Sequence, residues 1–160
     1  AALWLLAPQY IPFLELGGQE PQAETVSPED IKNIALQNVR QYYVNNEKVG
    51  SLFVIEGKVV NNFQTAKELI KIRASLFDEQ GVELDSKERL AGTTVSLFQL
   101  QMLSQDELET KLTNKVEILT NNTNIPPGGE VPFMAIFYNP PESVREFLVK
   151  VVEAKNPPEQ

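Results

Sequence analysis

Four carboxylates crowd one short stretch of this chain: Asp78, Glu79, Glu83 and Asp85 stand on either side of Gly81. Oxygen donors at that density could gather around a hard cation such as Ca²⁺. Their spacing fits no calcium-binding loop, and a hairpin with a solvated tip explains them more simply. A second acidic group, Asp106, Glu107 and Glu109, follows Ser104. Acidic side chains in a first helical turn are favoured by the helix dipole, and that accounts for them. Pro126-Pro127-Gly128-Gly129 has paired glycines but lacks the Lys and Ser/Thr of a phosphate loop, so it reads as a turn. Tyr42 and Tyr43 must point to opposite faces of a strand, which leaves at least one exposed, as an ordinary surface residue or, less simply, a binding contact. Asn121-Asn122-Thr123 is a sequon, meaningful only in a eukaryotic secretory route.

The 160 residues include no histidine and no cysteine. Disulfides, thiolate nucleophiles, imidazole bases and zinc sites built on those ligands are excluded. Catalysis would fall to carboxylates, Lys, Tyr, Ser or Thr, and none of these forms a known motif. No residue is assigned a catalytic, cofactor-binding or metal-binding role, and no cofactor is implied. Fourteen basic against 22 acidic residues leave a net charge of −8. That argues against nucleic acid as a partner, because such affinity comes mainly from Lys and Arg on phosphates. A hydrophobic content of 42% is enough for one core, and the length suits one domain.

The pattern that would position these residues is mainly β. Strands are expected over Ile34–Asn45, Leu52–Asn61, Ile70–Phe77, Val82–Arg89, Val131–Tyr138 and Val144–Ala154. In the second, Phe53, Ile55, Gly57 and Val59 share one face, and Leu52, Val54, Glu56, Lys58 and Val60 the other. Gly57 within a strand implies a bulge or a close backbone approach. In the third, Ile70, Ile72, Ala74 and Leu76 alternate with Lys71, Arg73, Ser75 and Phe77, as for a sheet wet on one face. Asp78-Glu79-Gln80-Gly81 makes the hairpin, and the charged return strand suits a sheet edge. Both faces of Val131–Tyr138 are apolar, which implies a central strand covered on both sides. One helix is expected: Ser104 and Glu107 form a capping box, with Leu108 and Leu112 one turn apart. Leu97–Leu103 before it reads as a strand or an apolar crossover. Together these describe an immunoglobulin-like two-sheet β-sandwich of six to seven strands with one short capped helix.

Residues 1–16 stand apart from this domain. Ala1-Ala2-Leu3-Trp4-Leu5-Leu6-Ala7 is wholly apolar, and Tyr10, Ile11, Phe13, Leu14 and Leu16 follow. Three expectations compete: the outer end of a membrane helix with Trp4 and Tyr10 at the interface, an amphipathic segment packed on its own domain, or a surface for a partner or a second copy. Residues 17–29 form a polar linker in which Ser27-Pro28-Glu29-Asp30 caps a short helical turn. The sandwich occupies 30–155, and 156–160 is a tail that cannot pair in a sheet.

Four ordered signals then point to a family. Val54-Ile55-Glu56-Gly57-Lys58-Val59-Val60-Asn61 resembles a hydrophobic-x-Gly-x-Val-x-Asn strand, and Ala74–Gly81 resembles the strand and turn that follow it. The Ser104–Leu108 helix start and Ile125–Phe133 complete the set. The chain resembles the bacterial family catalogued as domain of unknown function 3426, related in pattern to other immunoglobulin-like envelope modules. The resemblance covers roughly 34–155. It implies a cytoplasmic zinc-ribbon finger, a membrane helix, and this domain outside the cytoplasm. No finger is present in this sequence, and the family offers no catalytic residue to carry over.

Two functions from different classes are expected on these grounds. The first is a non-catalytic interaction or structural module on the extracytoplasmic side of a single-pass bacterial membrane protein. Its partner would be an envelope protein or another copy, met through Leu3, Trp4, Leu5 and Leu6 or through an exposed strand edge. The alternative is a carboxylate-based enzyme or a small-ligand (glycan) binding domain, which needs two acidic side chains about 5–9.5 Å apart across a cleft.

Overall fold

A computed structural model describes residues 25–158. The expectations for Ala1–Leu16, for most of the linker and for the end of the tail lie outside the described residues. The six strands are β1 (Ile34–Asn46), β2 (Gly50–Asn61), β3 (Glu68–Phe77), β4 (Glu83–Leu90), β5 (Glu130–Tyr138) and β6 (Glu146–Lys155). They form two antiparallel three-stranded sheets, a first in the order β1-β2-β5 and a second in the order β4-β3-β6. The fold is a mainly β, two-sheet sandwich. Each strand begins and ends within a few residues of the alternation that marks it in the sequence.

The helical content exceeds the single helix expected. α2 (Gln105–Leu112) carries the Ser104–Glu107 capping box. Before it, α1 (Leu97–Met102) occupies the apolar run that read as a strand or a crossover. A second capping box explains the difference: Ser96 Oγ accepts from Gln99 N, and Gln99 Oε1 accepts from Ser96 N. After α2, α3 (Lys115–Asn121) starts at Asn114, whose side chain accepts from Glu117 N. A single 3₁₀ turn, Ile31–Asn33, follows the Ser27–Asp30 turn.

These helices make the molecule a three-layer stack. On the inner side of the first sheet, Phe53, Ile55, Val59, Phe133, Ala135 and Phe137 pack against Ile70, Ile72, Ala74 and Leu76 of the second. On its outer side, Leu52, Val54, Met134 and Ile136 pack against Leu100, Leu108 and Leu112 of the helices. The unbroken apolar run of β2 follows directly, because a strand covered on both faces has no wet side. β5 is likewise covered on both faces, yet it lies at the edge of its sheet. Apolar faces report layers above and below a strand; they carry no information on its lateral neighbours.

Gly57 marks a close approach, and the bulge lies in its neighbour. The register of β1 slips between Gln37 and Arg40, where Asn38 adopts a φ of +55°. A Cβ on Gly57 would meet the Phe133 ring at 3.0 Å and Val39 Cα at 3.1 Å. The ring of Phe133, directly opposite in the ladder, fills the space that a side chain would take.

The loops are tied down by buried asparagines. Asn61 Nδ2 donates to Thr65 O and Ile125 O, and its Oδ1 accepts from Phe63 N. The Pro126–Gly129 turn closes onto the same residue, with Gly128 N donating to Asn61 O and Asn61 N to Gly129 O. Asn46 Nδ2 reaches Leu100 O and Leu103 O of the helical layer. Asn122 Nδ2 donates to Ile70 O and Ala91 O while its Oδ1 accepts from Ile70 N.

At the other end of the chain, Thr25 forms an antiparallel bridge with Lys155, and Val26 N donates to Ala154 O. Gly57→Ala is expected to destabilise the fold by about 1–3 kcal/mol through overpacking against Phe133 and Val39. Urea unfolding measures this, and an unchanged midpoint would show that the bulge relaxes without cost.

Candidate functional site

A groove of about 640 Å³ lies where the helical cover stops and the outer face of the first sheet becomes bare. β1 and β2 supply Arg40, Glu56 and Lys58; the segment before α1 supplies Thr94 and Val95; β5 supplies Pro132 and Met134. The bulge sets the position of Arg40, which resumes the ladder directly opposite Glu56. Its guanidinium donates to Glu56 Oε2 at 2.7 Å, and Tyr42 Oη donates to Glu56 Oε1 at 2.7 Å. Arg40 also lies 5.7 Å above the Tyr42 ring. Burial first, and then the hydrogen bond to Glu56, push the Tyr42 hydroxyl up to about 12. Glu56 is the one carboxylate lining this groove, and both its oxygens are engaged. A facing pair for glycoside chemistry is therefore not assembled there.

A second cluster closes the corner between β4 and β5. Lys87 and Arg89 stand opposite Ala74 and Ile72, so both point to the inner side of an edge strand. Their heads pass around β5 to Glu109 on α2. Arg89 Nη2 donates to Glu109 Oε1, and Lys87 Nζ lies 3.8 Å from Oε2. Tyr138 Oη donates to that same oxygen at 2.6 Å. Lys87 also donates to Ile136 O and lies 4.5 Å above the Tyr138 ring. Burial lowers the Lys87 ammonium, with Glu109 opposing; burial and Glu109 together raise the Tyr138 hydroxyl. Two cations, a phenol and one carboxylate thus bind α2 to both sheets. None of the four lines the groove.

The acidic residues singled out in the sequence do not converge. Asp78 Oδ1 accepts from Gln80 N and Val82 N within its own hairpin, and Asp85 Oδ1 accepts from Ser86 N. Among the described residues, no group of three or more acidic side chains is placed to hold a metal ion. Glu107 caps α2, and the hydrogen bond from Ser104 N holds its carboxyl below the usual range. Glu109 differs from its neighbours: the helix dipole does not account for it, because it is the anchor of the β4–β5 corner. Asn121 Nδ2, the glycosylation atom of the sequon, donates to Gly92 O. Tyr43 is 58% exposed with its ring edge-on to Phe53, and Tyr42, on the outer face, bonds to Glu56.

A family model described as "Protein of unknown function (DUF3426)" matches residues 34–151. The chain belongs to the DUF3426 family. The match spans β1 through most of β6, so both the groove and the corner cluster belong to the family's domain. No curated protein and no solved structure matches the chain.

Glu109 is visible in the sequence, but its grouping with Lys87, Arg89 and Tyr138 is not, because three separate elements contribute the four. The available signal was two basic residues at alternate positions of an edge strand, facing a core. Glu109→Ala is expected to cost about 1–3 kcal/mol in thermal unfolding, since two partly buried cations lose their carboxylate. Asp106→Ala, in the first turn of the same helix, should stay within about 0.5 kcal/mol of the parent. Equal losses would return Glu109 to the dipole explanation.

Tyr42 provides a pH test. Below its ordinary value of 10.0 the hydroxyl is neutral in both folded and unfolded chains. Between that value and about 12 the unfolded chain ionises first, so stability falls as pH rises and levels off above the window. Tyr42→Phe should lose less stability than the parent between about pH 10 and about pH 12 in urea titrations.

Proposed function

We propose that this DUF3426 domain is a non-catalytic interaction or structural module, carried on the extracytoplasmic side of a bacterial membrane by an N-terminal anchor. The observation that carries this reading is the surface of the helical layer. Leu97 and Phe98 of α1 and Val116 and Leu119 of α3 are each more than half exposed, Phe98 at 68%. Large apolar side chains held in water at that density mark contact surfaces more often than catalytic ones. The wholly apolar Ala1–Ala7 and the polar linker after it support tethering, with Leu3, Trp4, Leu5 and Leu6 as membrane or partner contacts. Among the described residues no helix is long and apolar enough to cross a membrane. The groove favours a second reading, a small-ligand or glycan site, with Arg40, Glu56 and Lys58 as its polar groups.

Site-specific photo-crosslinking at Phe98 in growing cells tests the first reading. A discrete adduct with an envelope protein is expected, and it should disappear when Leu97 is replaced by Glu. External protease should digest the domain in spheroplasts. Protection there, with no adduct at Phe98, would remove the proposal. A ligand-induced rise in unfolding temperature, lost in Glu56→Ala, would favour the glycan site instead.

A further inference from the structure

The sandwich has four edge strands, and three are closed. β1 carries the Asn38–Val39 bulge, which twists an edge away from new partners. β4 turns Lys87 and Arg89 inward. β5 has Pro132, and its Pro132 and Ile136 carbonyls already accept from Gly92 N and Lys87 Nζ. The edge of β6 differs. Among the described residues its only hydrogen-bonded partner on that side is the Thr25–Val26 segment at Ala154 and Lys155, which leaves Glu146 to Val152 with a ladder to β3 alone.

The residues that β6 presents to the outer face of the second sheet have unsatisfied chemistry. Leu148 is 50% exposed. Glu146 and Lys150 form no ion pair among the described residues, although seven pairs form elsewhere. Lys150 stands directly opposite Arg73, a like charge, and Arg73 in turn faces Glu88. A like-charge cross-strand neighbour is unfavourable, and a carboxylate on the other side of Lys150 would relieve it.

We infer that β6 is the edge on which a second copy of this chain adds, antiparallel and centred on Leu148. A two-fold axis at Leu148 sets Leu148 against Leu148 of the other copy. It also sets Glu146 against Lys150, twice, and Val144 against Val152. The row Glu88–Arg73–Lys150 is then continued by the other copy's Glu146, so charges of opposite sign end the like-charge contact. The product is one six-stranded sheet running β4-β3-β6 and back. Its length stops where Thr25 and Val26 already occupy the edge. Mixed charge on this strand discourages foreign strands but complements itself in this single register. The inference deepens the interaction-module reading by naming the partner, and it rests on that reading.

A ladder of this length buries less than a standard interface, so self-association should be weak, with a Kd of roughly tens to hundreds of micromolar. Sedimentation equilibrium on the full chain measures it. Glu146→Lys and Lys150→Glu each create two like-charge pairs across the axis and should each weaken the dimer about tenfold. Mixing these two variants restores both opposite-charge pairs, so the mixture should associate like the parent. That arm also verifies that both variants fold.

A parent chain that stays monomeric up to about 1 mM overturns the inference. So does association indifferent to both charge reversals, or a mixture that remains monomeric. A monomer that still gives the Phe98 adduct would end the pairing and leave the module reading standing.

Discussion

Buried backbone groups without partners are costly, and this chain meets that constraint at its loops with asparagine amides. Asn46, Asn61 and Asn122 are each almost fully buried. Each engages both the donor and the acceptor end of its side chain, so each joins segments that no ladder could join. Asn122 has the widest reach. It ends α3, accepts from Leu69 N through its own carbonyl, and holds β3 and the segment after β4 by its side chain. Leu69, with a φ of +50°, keeps a left-handed conformation unusual for a bulky residue, at the bulge that Asn122 spans.

The layers depend on those pins. Asn46 fixes α1 to the end of β1, and Thr93 Oγ1 donates to Leu112 O at the end of α2. With the helices set there, the outer face of the first sheet is apolar beneath them and charged beyond them. Leu52 and Val54 give way to Glu56 and Lys58 along one face of β2, and the groove opens at that change. The corner cluster acts at the other boundary. It carries charge from an edge strand around β5 to α2, so one group of side chains spans all three layers.

Much of this was legible in the sequence, and the limits have physical causes. The six strands were visible because alternation and turn residues are local. Gly57 announced a close approach, although the bulge itself sits on β1, where Asn38 carries no distinctive signal. α1 was hidden because Leu97-Phe98-Gln99-Leu100 favours a strand by composition, and the Ser96–Gln99 capping box outweighs that preference. α3 is only seven residues long, too short for its periodicity to stand out. The groove and the corner cluster were illegible because Arg40 and Pro132, or Lys87 and Glu109, meet only after the layers stack. Edge position was legible for β4 from its dense charge and hidden for β5, whose apolar faces read as those of a central strand.

The bridge between Thr25 and Lys155 has a mechanical consequence. It is antiparallel, so the chain upstream of Thr25 and the chain downstream of Lys155 depart from the same end of the sandwich. A pull that separates those two departures loads the bridge bonds one after another, as in opening a zipper, and does not shear them together. Tension would first peel Thr25 and Val26 from β6 while the sandwich keeps its shape. The same peeling would uncover the stretch of β6 that those residues occupy, so load at Thr25 and access to that stretch are coupled by geometry.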